Sequence, residues 1–85
     1  MEVTILLGSS SDMPVAEKCT KILKQFDVSY QLRVASAHRS PKFVEQIIHD
    51  AEADGCMVFI AMAGLAAALP GAVAALTTKP VIGVP

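Results

Sequence analysis

The sequence predicts an α/β domain: an open parallel sheet with helices on both of its faces. Two observations carry that reading. Short apolar runs rich in β-branched residues alternate with longer segments whose apolar residues recur at helical spacing, giving the order βαβαβαβ within 85 residues. Such an order implies parallel strands joined by right-handed crossovers. In addition, Cys56 to Met62 is apolar at every position, which suits a strand covered on both faces better than the alternation of a half-exposed one.

Val3-Thr4-Ile5-Leu6-Leu7 is the first strand, stopped by Gly8. Val15, Cys19, Ile22, Leu23 and Phe26 then trace one face of a helix, with Glu17, Lys18, Lys21, Lys24 and Gln25 on the solvated side. Pro14 suits the first turn of that helix, and Ser11 or Asp12 can cap it. Val28 to Ala35 reads as the second strand. Ser40 offers the next N-cap and Pro41 the first helical position, and Val44, Ile47, Ile48 and Ala51 continue at helical spacing. Asp54-Gly55 ends that helix, with Gly55 able to take the left-handed conformation. Cys56 to Met62 is the third strand. A small-residue turn from Gly64 feeds an Ala-rich third helix to about Leu76, and Lys79-Pro80 introduces a fourth strand, Val81 to Val84. That last strand is an apolar edge with nothing after it to cover it. The expectation is a single α/β domain over residues 1–85, the front portion of a larger domain or one dependent on oligomerisation.

A hydrophobic fraction of 53% with a net charge of −1 places the chain among globular domains and gives no basic face for nucleic acid. Cys19 and Cys56 are far apart and outside any metal-ligand spacing, so both read as small buried hydrophobes in a reducing compartment. Val3 follows the N-terminus with no basic segment before it, as a strand would and a signal peptide would not. The longest apolar stretch, Ala61 to Leu76, is broken by Gly64, Pro70 and Gly71 and falls short of the ~20 residues that span a bilayer. A cytoplasmic protein without membrane partners is therefore expected.

Polar residues with chemistry gather at two strand-to-helix turns. In open parallel sheets ligands bind at that edge, outside the carboxyl ends of the strands. Gly8-Ser9-Ser10-Ser11-Asp12 follows the first strand, where helix-start amides favour an anion. Ser9 and Ser11 add hydroxyl donors, and the Asp12 carboxylate suits ribose hydroxyls. Ser11 and Asp12 are equally suited to capping the helix. Ser36-Ala37-His38-Arg39-Ser40-Pro41 follows the second strand. Arg39 supplies a permanent charge in a planar fork matched to phosphate. His38, with an unperturbed pKa near about 6.5, can give and recover a proton near neutrality. A solvated surface turn is the plainer alternative for this pair, whereas His49 lies off the apolar stripe of its helix and is expected simply to face water. No Walker A loop, G-x-G-x-x-G, H-E-x-x-H or G-x-S-x-G pattern is present. What remains is a site for a small phosphorylated ribonucleotide with one imidazole, working without a cofactor or metal.

Three segments, Gly8 to Asp12, Ser36 to Pro41 and Ala63-Gly64-Leu65-Ala66-Ala67-Ala68-Leu69-Pro70-Gly71, stand in the order and at the intervals found in the N5-carboxyaminoimidazole ribonucleotide mutases of purine biosynthesis. The whole chain resembles that family. The resemblance implies a flavodoxin-like three-layer αβα fold, assembly as a homo-octamer, and transfer of a carboxylate from the exocyclic nitrogen of an imidazole to ring carbon C4. It further implies His38 as the general acid and base, Ser11, Ser36 and Arg39 on the phosphate, and Asp12 on the ribose. Ser9 and the backbone around Gly64, Ala66 and Leu69 would line the base and CO2 pocket. Two departures stand out. Ala68 occupies the place where these mutases usually carry His before Leu-Pro-Gly, and the family domain continues past Pro85. Related carboxylases that use CO2 directly usually carry Lys after the motif His, so Arg39 and Leu69-Pro70-Gly71 resemble the mutase side. The direct carboxylase and a non-catalytic nucleotide-phosphate binding module are the competing readings.

Overall fold

The computed structural model of the chain describes residues 1–37, 39–64 and 68–85. Strand β1 (Val3–Leu7) leads through a short 3-10 turn at Ser10–Asp12 into helix α1 (Met13–Gln25). Strand β2 (Tyr30–Val34), helix α2 (Pro41–Ala53), strand β3 (Val58–Met62), helix α3 (Leu69–Ala74) and strand β4 (Val81–Val84) follow. The sheet order is β2-β1-β3-β4 and every pairing is parallel. This is the expected α/β architecture, with β2 and β4 as its edges.

Strand β1 is central because it can be. All five of its side chains are buried, and in a parallel sheet an inner strand must be apolar on both faces. Its one polar member, Thr4, is satisfied: its hydroxyl donates to Cys56 Sγ at 3.3 Å and accepts from Gln31 Nε2 at 3.0 Å. Alternation along the strand divides the core in two. Leu6 joins Phe59 and Ala61 under Val44, Ile47, Ile48 and Ala51 of α2 and Leu69 and Val73 of α3. Val3, Ile5 and Leu7 join Met62 and Ala16 on the opposite face, with Met13, Cys19 and Leu23 half-buried against them. Helices therefore lie on both faces, two on one and one on the other.

The packing of α1 corrects two expectations. Val15, Ile22 and Phe26, read as part of its core stripe, are exposed, and Ala16 is the helix's fully buried residue. The helix is rotated so that the row of Ala16 and Leu23 meets the sheet, where the small Ala side chain lets the backbones approach. Cys19 is half-buried, not fully, while Cys56 is buried as expected. Helix α3 is shorter than its Ala-rich sequence suggests, ending at Ala74. Gly55 takes a φ of +91°, the left-handed conformation expected of it after α2. His49 is exposed, as anticipated.

Candidate functional site

From β1 the chain moves outward to β2, then returns past β1 to β3. The order reverses between β1 and β3, and that reversal opens a crevice at their carboxyl ends. Ladder bonds continue past the strands and pin the turns there: Ala35 N donates to Leu7 O at 2.8 Å, Gly8 N to Met62 O at 2.9 Å, and Ala63 N to Val84 O at 3.2 Å. Gly8 suits this closeness, since a Cβ on it would stand 3.2 Å from the Cβ of Ala63 and that side chain would have to give by a few tenths of an ångström.

The turn after β1 is closed on itself. Ser9 Oγ accepts from Ser11 N at 3.2 Å and from the Ser11 hydroxyl at 3.0 Å. Asp12 Oδ2 in turn accepts from Ser9 N at 3.1 Å, a reciprocal capping arrangement. The cap therefore belongs to the 3-10 turn that precedes α1, and Asp12, at the N-cap position of α1, makes no side-chain bond to that helix. After β2, Ser36 Oγ accepts from Arg39 N at 3.2 Å and Ser36 O accepts from Ser40 N at 2.9 Å. These two bonds curl the chain into the start of α2. Ser40 stands at the N-cap, as expected, but its hydroxyl makes no capping bond.

A cavity of about 300 Å³ sits at the crevice, lined by Gly8, Ser9, Ser11 and Asp12 after β1, Ser36 and Ala37 after β2, and Ala63, Gly64, Ala68 and Leu69 after β3. Six residues anticipated from the sequence thus meet in one place: Ser9, Ser11, Asp12, Ser36, Gly64 and Leu69. Arg39 does not line this cavity. It opens onto a neighbouring one of about 580 Å³ that shares Gly8, Ser9 and Ser36 and adds Ser10, Val34, Ala35, Ser40 and Phe43. His38 and Ala66 lie outside the described residues. Gly8, Ala37 and Ala63 are lining residues that the sequence reading left out. Their signal was there: Gly8 and Ala63 are small residues directly after strand ends, and Ala37 is a small residue in the turn after β2.

The division has a chemical sense. The first cavity offers hydroxyls, one carboxylate and a wall of Gly and Ala, which suits a sugar and a flat ring lying close to backbone. The second offers a guanidinium and several hydroxyls, which suit an anionic group. Among the described residues no three of His, Cys, Asp and Glu come together as a metal set, and no helix is long and apolar enough to cross a membrane.

The chain is 59% identical over 83 residues to the N5-carboxyaminoimidazole ribonucleotide mutase of Methanocaldococcus jannaschii, a match covering 98% of this chain and 51% of that protein. The corresponding mutase of Pyrococcus abyssi is 50% identical over 84 residues, covering 99% of this chain and 48% of that protein. The crystal structure of Treponema denticola PurE superposes with a TM-score of 0.90 at 39% identity, covering 95% of this chain and 52% of that one. The chain thus spans about half the length of these relatives. The family described as AIR carboxylase matches residues 2–85, so nearly every residue of this α/β chain, including all three turns of the crevice, belongs to the AIR carboxylase family.

Proposed function

We propose that this chain carries the nucleotide site of an N5-carboxyaminoimidazole ribonucleotide mutase. The observation that carries the reading is the meeting of Ser9, Ser11, Asp12, Ser36, Gly64 and Leu69 at the β1/β3 crevice, in a chain 59% identical to such a mutase. The ribose hydroxyls bind Asp12. The phosphate extends past Ser11 and Ser36 into the neighbouring cavity, where Arg39 neutralises it. The imidazole lies against Ser9, Gly64, Ala66 and Leu69.

His38 moves the proton. As the bond from the exocyclic nitrogen to its carboxylate breaks, CO2 leaves and His38 protonates the nitrogen. Ring carbon C4 then attacks the trapped CO2, and the C4 proton returns to the His38 side chain. The cycle closes without a net reagent, so neither cofactor nor metal is invoked. The expected setting is a cytoplasmic homo-octamer of purine biosynthesis.

A second reading is favoured by the family description itself, AIR carboxylase: direct addition of CO2 to aminoimidazole ribonucleotide at the same site. The purified chain separates the two. Turnover of the carboxylated substrate at low bicarbonate supports the mutase, and turnover of aminoimidazole ribonucleotide only with added bicarbonate supports the direct carboxylase. Turnover in neither reaction, with the nucleotide still bound, leaves the non-catalytic binding module as the reading.

A further inference from the structure

The outer face of α2 carries an order of charges that is complementary to its own reverse. A recess of about 480 Å³ runs along that face to the end of α3, with Ile48 in its floor and Lys42, Glu45, His49, Glu52 and Leu76 around it. Ile47 is buried against the sheet. At 3.6 residues per turn, Lys42, Glu45, His49 and Glu52 are centred on the opposite side of the helix, so their stripe points away from the sheet. Lys42, Glu45 and His49 are exposed and Glu52 is half-buried. None of the four lines either cavity of the crevice. Among the described residues the one salt bridge joins the N-terminus to Asp54, which leaves all four without an ionic partner in the chain.

The spacing of the stripe is symmetric. Lys42 and Glu52 stand five positions either side of Ile47, and Glu45 and His49 stand two positions either side of it. A twofold axis passing beside the middle of α2 lays a second α2 antiparallel on the first. Lys42 then faces Glu52 of the second copy, and Glu45 faces its His49. Each pairing occurs twice, as an isologous contact requires. The ammonium meets a carboxylate in one, and an imidazole N–H donates to a carboxylate in the other. A parallel arrangement would set Lys42 against Lys42 and Glu52 against Glu52. Leu76, 41% exposed beside the stripe, adds apolar area from each copy.

We propose that the outer face of α2 is a homodimer interface, occupied by the same face of a second copy running antiparallel. Charge chooses that occupant. A stripe of one sign would ask for a partner of the other, whereas this mixed order is answered by its own reverse. One helix face is a small contact, so the dimer is weak and reversible, and its ion pairs, close to solvent, weaken further with salt. The inference concerns assembly and does not rest on the proposed chemistry.

The test mixes heavy-isotope-labelled and unlabelled samples of the 85-residue chain and treats them with a zero-length carbodiimide, which joins an amine to a carboxylate only in direct contact. Within one chain Lys42 and Glu52 lie about 15 Å apart along α2, beyond such a link. A Lys42–Glu52 crosslink between one labelled and one unlabelled peptide is therefore expected, and it reports the proposed pair. Sedimentation equilibrium reads the strength. Lys42→Glu and Glu52→Lys are each expected to weaken the dimer at least tenfold with an unchanged circular dichroism spectrum. The two together exchange the charges and are expected to restore the dimer to within threefold of the parent. A chain that stays monomeric up to millimolar concentration overturns the proposal, as does a dimer that neither single variant weakens or that the exchange fails to restore. Self-association through another surface, such as the β4 edge, gives no mixed Lys42–Glu52 crosslink and overturns it equally. The crosslink is read on the parent chain, so it decides the matter even where a variant fails to fold.

Discussion

Asp12 and Ser9 hold each other through their opposite ends. The Asp12 carboxylate accepts from the Ser9 backbone amide at 3.1 Å, while the Ser9 carbonyl accepts from the Asp12 amide at 3.1 Å. Only Oδ2 of Asp12 is used in this clasp, and among the described residues no protein donor reaches Oδ1. One carboxylate can thus shape the turn with one oxygen and meet a ribose with the other.

The two duties of Asp12 should separate by substitution. Asp12→Ala is expected to cost about 1 kcal/mol of stability through the lost cap and to weaken nucleotide binding as well. Asp12→Asn keeps an oxygen for Ser9 and should recover most of the stability. It places an NH2 where the ribose needs an acceptor, so affinity stays low. Thermal unfolding and calorimetric titration with the nucleotide would show the split; equal recovery of both would mean the carboxylate is only a cap.

For His38 the prediction concerns rate. His38→Asn is expected to lower turnover on the order of 10²–10⁴-fold while nucleotide affinity changes little. A loss below tenfold would remove it from the proton-transfer role.

Arg39→Ala should act on binding, and only for phosphorylated ligands. A loss of about 1.5–3 kcal/mol is expected for the nucleotide, the range for a hydrogen bond to a charged group. The corresponding nucleoside should bind parent and variant alike. If both ligands weaken together, Arg39 is shaping the turn and not holding phosphate.

Phe59 is fully buried in the cluster closed by α2 and α3. Phe59→Ala should destabilise the chain by about 3–5 kcal/mol, read as a drop in the urea midpoint with little change in slope.

Burial raises the pKa of the Cys19 thiol. The folded chain therefore keeps that proton at pH values where the unfolded chain, with a thiol near about 8.5, has begun to lose it. The unfolded state then binds fewer protons, and stability falls as pH rises through that window. Unfolding measured at pH 8 and pH 10 should show a larger loss for the parent than for Cys19→Ala. Equal losses would place the alkaline sensitivity elsewhere.

Much of the fold was legible because the strands are short, apolar and punctuated. Val3–Leu7 and Val81–Val84 have the bounds their sequences suggest, and Pro41 and Gly55 bracket α2 as their backbone preferences dictate. The second and third strands are shorter than their apolar runs, whose outer members Val28, Ala35 and Cys56 pack against the core from positions beyond the strand ends. The rotation of α1 was not legible. Val15, Ile22 and Phe26 share a helical stripe with Cys19, and periodicity alone cannot say whether the stripe meets the sheet or flanks it. The small Ala16 decides that, and a single Ala carries no periodic signal. In the site, residue types and turn positions pointed to Ser9, Ser11, Asp12 and Ser36. That Arg39 faces an adjoining cavity depends on how Ser36 curls the following turn, which only the three-dimensional hydrogen bonding reveals.

The central place of β1 has a consequence for how the chain is made. Val3 pairs on one side with Tyr30 and on the other with Val58, so β1 leaves the ribosome before both of its partners and must wait for each of them. At roughly 5–20 residues per second, several seconds pass between the appearance of Leu7 and that of Met62. Throughout that interval a fully apolar segment, Val3 to Leu7 save for Thr4, presents an unpaired edge able to template pairing with another chain. Parallel strands cannot shorten the wait with a hairpin, because each pairing must bridge an intervening helix. A nascent-chain binding factor that protects this fold would therefore act on β1, and would release it only once β3 has been delivered.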